Sequence, residues 1–234
     1  MMGWSTLLGV RGQAASLVVT TLADTGPGSL RAAIGSASPG DVITFAATGT
    51  ITSFAGQLLI DKDLTIAGPG PNNLSVSGNN SSRVFQIAGG VTVALSGLTV
   101  SGGQAPDGAA GTNAATPGWP GGDGGGIYNS GTLALTNCVI TGCRSGQGGA
   151  GFSYQNFLPP ASGTSNGGPG GNGGGIYNAG GLTLMACTLN YNTMGAGAAA
   201  GWQGWEFMEG DPEGRPGAAV ASMTRAPPGS SPAP

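Results

Sequence analysis

Residues 127–138 read IYNSGTLALTNC, and 49 residues later residues 176–187 read IYNAGGLTLMAC without a gap. An earlier copy, TVALSGLTVSG at residues 92–102, aligns with residues 132–142, so that Leu98 takes the place of Cys138. Within each copy the apolar residues alternate, as Val93/Leu95, Leu133/Leu135 and Leu182/Leu184. They then resume as Leu98/Val100, Cys138/Ile140 and Cys187/Leu189. A period of two means short strands with one buried face. A weaker copy precedes them, with Leu58/Ile60, Leu64/Ile66 and Leu74/Val76 separated by Asp61-Lys62-Asp63 and by residues 68–73, GPGPNN.

Three short strands joined by bends cannot close a core alone. They can when successive turns stack as a solenoid, with about 4.8 Å between coils. The predicted fold is therefore all-β: a right-handed parallel β-helix of about five coils, counting an irregular first one at residues 41–51. Two glycine-rich insertions, residues 103–124 and 144–173, fall at the same corner of successive coils, where insertions in solenoids leave as loops on one face. Pro27-Gly28 reads as a turn, and Ser29 as the cap of a short helix through Ile34 with Leu30, Ala33 and Ile34 on one side. Such a helix covers the edge of the first coil, which otherwise offers unpaired backbone groups.

The domain reading follows. Residues 1–16 are a signal remnant or disordered leader: their apolar run, Trp4 to Val10, is too short to span a membrane, and no positive charge precedes it. Residues 17–193 are the β-helix, with its N-terminal cap at 17–40. Residues 194–234 lose the alternation and become rich in Ala, Pro and Trp, with acids at Glu206, Glu209, Asp211 and Glu213, which reads as a disordered or aberrant tail. A solenoid ending on an uncapped coil exposes its core, so truncation or a frame slip, with further coils missing, is the expectation.

Composition narrows the functional classes. Of the 234 residues 49 are Gly and only 7% are charged, so amide, hydroxyl and backbone groups must hydrate the surface. A net charge of -3 gives no basic footprint for nucleic acid. There is no histidine, and hence neither the commonest metal ligand nor the side chain best suited to proton transfer near neutral pH. Cys138, Cys143 and Cys187 form neither a CxxC pair nor an even disulfide set. No cofactor and no transmembrane helix is expected.

Residues 17–34, LVVTTLADTGPGSLRAAI, followed by DVITF at 41–45, resemble the start of a bacterial secreted β-helix family carrying a C-S-L-R-E-A-I motif. Its later coils contain G-G-G-I-Y-N and L-T-L-T-N-C-T segments. Ser29, Leu30, Arg31, Ala33 and Ile34 match the first motif, while Gly28 and Ala32 stand where the family has Cys and Glu. Residues 126–129 and 175–178 match the second. The repeats are also similar to those of polymorphic outer-membrane proteins and autotransporter-like adhesins with the pectate-lyase-like fold. The resemblance implies secretion or display at the cell surface or outer membrane, and adhesion.

Each candidate site residue also has a plainer role. Asp61 and Asp63, on one face if extended, resemble a carboxylate pair or calcium site. Calcium wants six to eight oxygens, and a solvated turn is the simpler reading. Asp123, within GGDGG at residues 121–125, resembles one unit of a calcium-binding repeat that works only in series. Asn129 and Asn178 hold equivalent positions and are expected to stack as a structural amide ladder, with sugar binding as the other reading. Cys138 and Cys187 are expected to pack inward as small apolar residues. Trp119, Phe152, Tyr154 and Phe157 lie in the glycine-rich insertions and are the ligand-binding candidates, for glycans or for host or matrix surface proteins.

The leading functional expectation is thus a non-catalytic, adhesin-like or structural surface module. The alternative is a polysaccharide lyase or hydrolase, which the fold hosts. Such chemistry needs clustered carboxylates with a base, or two carboxylates set apart. Between Leu64 and Gly201 the only charges are Arg83, Asp107, Asp123 and Arg144. Ice binding through a flat threonine array comes last, because Thr132 and Thr183 are not at matched positions.

Overall fold

The computed structural model describes residues 14–113, 115–152 and 165–199. Tyr154, Phe157, most of the leader and the segment after residue 199 lie outside the described residues.

The chain enters on β1 (Ser16–Val19), which begins inside the stretch assigned to the leader, and turns into α1 (Leu30–Ser36). Ser29 caps this helix: its side chain accepts from the Ala32 N–H at 3.2 Å. The buried face is Leu30, Ala33 and Ile34, which joins the core cluster that contains Val19 and Ile43. The first coil is β2 (Asp41–Phe45) and β3 (Gly49–Thr52). Four three-stranded coils follow. They are β4 (Leu58–Ile60), β5 (Leu64–Ala67) and β6 (Leu74–Ser77); β7 (Phe85–Ile87), β8 (Thr92–Ser96) and β9 (Thr99–Ser101). The last two are β10 (Ile127–Asn129), β11 (Thr132–Thr136) and β12 (Val139–Thr141), then β13 (Ile176–Asn178), β14 (Gly181–Met185) and β15 (Thr188–Asn190).

Each of the four three-stranded coils gives one strand to each of three sheets, ordered β1-β2-β5-β8-β11-β14, β13-β10-β7-β4 and β15-β12-β9-β6-β3, and every pairing is parallel. The protein is a β-solenoid of about five coils. The register keeps like over like: Ile66 pairs with Leu95 and Leu95 with Leu135, while Val76 pairs with Val100 and Val100 with Ile140. These side chains are at most 1% exposed and form two columns through the coils, one on each of two sheets. The bends use αL backbone, taken by Gly at Gly97, Gly102 and Gly142 and by Asn at Asn137.

Candidate functional site

The two insertions leave the solenoid at one corner. Their described parts are not the irregular loops their composition suggests. Residues 104–111, 144–151 and 193–199 run outward, one from each of the last three coils; residues 116–124 and 165–173 run back to β10 and β13. Outward rows bond along the coil axis at every third residue: the N–H groups of Ala105, Gly108 and Gly111 donate to the carbonyls of Arg144, Gln147 and Ala150. Gly148 and Gly151 donate in turn to Ala196 and Ala199. Returning rows do likewise, Gly118 to Asn166 and Gly121 to Pro169. Between the two layers the bonds run antiparallel and again in threes, Gly146 to Gly122, Gly149 to Trp119, Gly168 to Gly149 and Gly171 to Gly146.

Three residues per turn, with bonding between strands and none within them, is the geometry of a polyproline-II bundle. Its glycines are required by space. A Cβ on Gly118 meets the Gly149 carbonyl oxygen at 1.8 Å, one on Gly146 meets that of Pro106 at 1.8 Å, and one on Gly195 meets that of Gly146 at 1.7 Å. None of the three lies at positive φ, so close approach of backbones selects glycine here, as at the axis of collagen. Residues 194–199, grouped with the tail on sequence, therefore belong to this sandwich.

Trp119 is held at the end of the sandwich nearest the N-terminal coils. Its N–H donates to Ala109 O and its carbonyl accepts from Gly149, each at 2.8 Å, while its side chain is 66% exposed. Phe152 follows the outward row 144–151, and its N–H donates to Ser165 Oγ at 2.6 Å.

Sequence reasoning missed the outward face of the β4-β7-β10-β13 sheet. In register across it stand Leu59, Gln86, Tyr128 and Tyr177. The two tyrosine rings stack with centroids 5.1 Å apart, and the Arg83 guanidinium lies 5.1 Å from the Tyr128 centroid on the side of the preceding coil. Arg83 is anchored by Gly124 O at 2.8 Å, Asp123 O at 2.6 Å and Gln57 Oε1 at 2.5 Å; Gln57 also bonds Gln86. The signal available was the identical placing of the two tyrosines in the repeat.

The acidic candidates do not converge. Asp61 is exposed and pairs with Lys62 at 3.4 Å, whereas Asp63 accepts from the Thr92 N–H of the next coil at 2.7 Å. Asp123 accepts from the Asn172 N–H at 2.6 Å and so ties the returning rows together. Among the described residues no group of three or more His, Cys, Asp or Glu side chains is placed to hold a metal. No described helix is long and apolar enough to cross a membrane.

The repeat asparagines meet: Asn129 Nδ2 donates to Asn178 Oδ1 at 2.6 Å and to Gly181 O at 2.9 Å, and its Oδ1 accepts from Gly131 N–H at 3.1 Å. Cys138 is buried in line with Leu98, and Cys187 is half-buried one coil on. All three thiols are free. Burial pushes the thiols of Cys138 and Cys143 up. Arg31 donates to Asp24, to Ser53 Oγ and to the carbonyls of Gly56 and Gln57, fastening the capping helix to the second bend.

Comparison with family models, with curated proteins and with solved structures finds no match for this chain.

Proposed function

We propose that this chain is a non-catalytic recognition module of the cell surface or extracellular space, in which the solenoid is the support and the glycine-rich sandwich presents Trp119 to a surface glycan or matrix protein. The observation that carries this reading is the fixing of Trp119: both of its backbone polar groups are bonded inside the sandwich, yet the indole is exposed. A large amphipathic ring on a rigid backbone loses little entropy on docking, which is why Trp and Tyr dominate recognition surfaces. The resemblance of residues 17–34 to secreted β-helix proteins, and the scarcity of charge, agree with display outside the cell.

The carboxylates argue in the same direction. Of the six Asp side chains among the described residues, five accept backbone N–H bonds: Asp24, Asp41, Asp63, Asp107 and Asp123. Groups committed to backbone donors are poorly suited to the proton transfers of a lyase or hydrolase. The test is binding of the purified chain and of Trp119→Ala to glycan and matrix-protein arrays. Binding by the parent chain that falls at least tenfold in the variant is expected. Absence of binding, or equal binding by both, overturns the proposal.

A further inference from the structure

The edge of the sandwich that faces the N-terminal coils is a boundary of the fold, because the preceding coil joins β6 to β7 by a short turn, residues 78–84, and sends out no row. In the returning layer the N–H groups of Gly118, Gly121 and Gly124 point along the coil axis to the carbonyls of Asn166, Pro169 and Asn172. One coil earlier the carbonyls in that position belong to Pro117, Pro120 and Asp123, and they face the side where no row lies. Asp123 O is taken by the Arg83 guanidinium, which also holds Gly124 O and lies 5.1 Å from the centroid of the Tyr128 ring. The carbonyls of Pro117 and Pro120 accept no hydrogen bond from any described residue. Trp119 stands between them. A Cβ on Gly168, one coil on from Trp119, meets Trp119 O at 2.1 Å, so side chains at this position point along the axis. The exposed Trp119 indole therefore projects over the edge beside the two carbonyls.

We propose that this edge binds arginine side chains of a partner protein, a guanidinium lying against the Trp119 indole and donating to Pro120 O, as Arg83 does within the chain with Tyr128 and Asp123 O. The inference rests on Trp119 as the recognition residue and names the chemistry of what it recognises. Bare carbonyls select a donor, and an indole face favours a planar cation over a compact one. Charge agrees: between Arg83 and Arg144 the only charged residues are Asp107 and Asp123. Addition of a further strand is excluded by space. Where the next coil has Gly146, Gly149 and Gly168, the first row has Pro106, Ala109 and Trp119, whose side chains fill the path another glycine row would take. A long side chain reaches between them; a backbone does not. Pro117 O and Pro120 O are three polyproline-II residues, about 9 Å, apart, so an extended segment with arginine at every third residue meets both.

The test uses the full chain carrying nitrogen-15 tryptophan, with the Trp119 indole signal identified by its loss in Trp119→Ala. It is titrated with acetyl-(Arg-Gly-Gly)4-amide and with the citrulline analogue, which keeps the side-chain length and loses the charge. A saturable shift of the Trp119 signal is expected with the arginine peptide, weakening as salt is raised, with roughly tenfold weaker binding of the citrulline peptide. Trp119→Phe, which keeps a ring, should bind about threefold more weakly than the parent chain with the circular dichroism unchanged. The inference is overturned if the arginine peptide leaves the Trp119 signal in place, or if both peptides shift it equally. A glycan that binds through Trp119 on the arrays while the arginine peptide does not overturns this inference alone. Absence of Trp119-dependent binding to any ligand overturns the recognition role with it.

Discussion

Asp24 and Arg31 are joined through a single carboxylate oxygen: Oδ1 accepts from Arg31 Nη2 at 2.8 Å and Nε at 3.1 Å, leaving Oδ2 for the N–H groups of Phe54 and Ala55 at 2.8 and 2.6 Å. Burial alone pushes this carboxyl up, but the bonds from Ala55, Arg31 and Phe54 outweigh it and hold the group below its ordinary value of 3.8. The folded state therefore binds the proton less readily than the unfolded chain. The resulting stability is fully present above the unfolded value and disappears as pH falls through the folded one. Urea midpoints measured across the acid range should fall in the parent chain and fall less in Asp24→Asn. Parallel curves refute the assignment.

Glycines of the sandwich and of the capping helix should respond oppositely to alanine. Gly35 lies in α1 with nothing within 4 Å of an added Cβ, so Gly35→Ala should stabilise by about 1 kcal/mol. Gly146→Ala forces a methyl against Pro106 O and should cost about 1–3 kcal/mol. Chemical denaturation of the two variants gives both signs.

The asparagine pair should be unequal. Asn129 is fully buried and serves Gly131, Asn178 and Gly181 together, so Asn129→Ala strands buried polar groups and should cost about 1–3 kcal/mol. Asn178 is exposed, and its loss should cost less than about 1 kcal/mol. Equal losses would mean that the ladder, rather than the buried member, carries the energy.

Thiol labelling should separate the cysteines by coil. Cys138 and Cys143 are buried with raised thiol values, so an alkylating reagent at mildly alkaline pH should modify Cys187 first and the other two only on unfolding. Mass spectrometry of a time course reads the order directly.

The coils were legible because Leu133/Leu135 and Leu182/Leu184 repeat without a gap and alternate strictly, and a one-residue slip would turn every one of them outward. The sandwich was not. Glycine carries no side chain whose periodicity can be read, and its abundance in residues 103–124 and 144–173 looks like loop composition. What decides its order is backbone contact between rows distant in sequence, as between Gly118 and Gly149. The trace that remained was the spacing itself, Gly118, Gly121 and Gly124 with Gly168, Gly171 and Gly174. Likewise Trp119 stands out in sequence as an aromatic in a loop, whereas Tyr128 and Tyr177, repeated inside a strand, read as scaffold.

A row that turns through a third of a circle at each residue tolerates changes of length only in whole turns. Three residues added to 144–151, and three to the row it returns on, extend that arm by about 9 Å and leave every contact partner as it was. One or two residues rotate Gly146 and Gly149 off the face where only a hydrogen fits. Among natural variants of this chain, insertions and deletions in the arms should therefore come in multiples of three, a rule imposed by the protein backbone on its own length and independent of the genetic code.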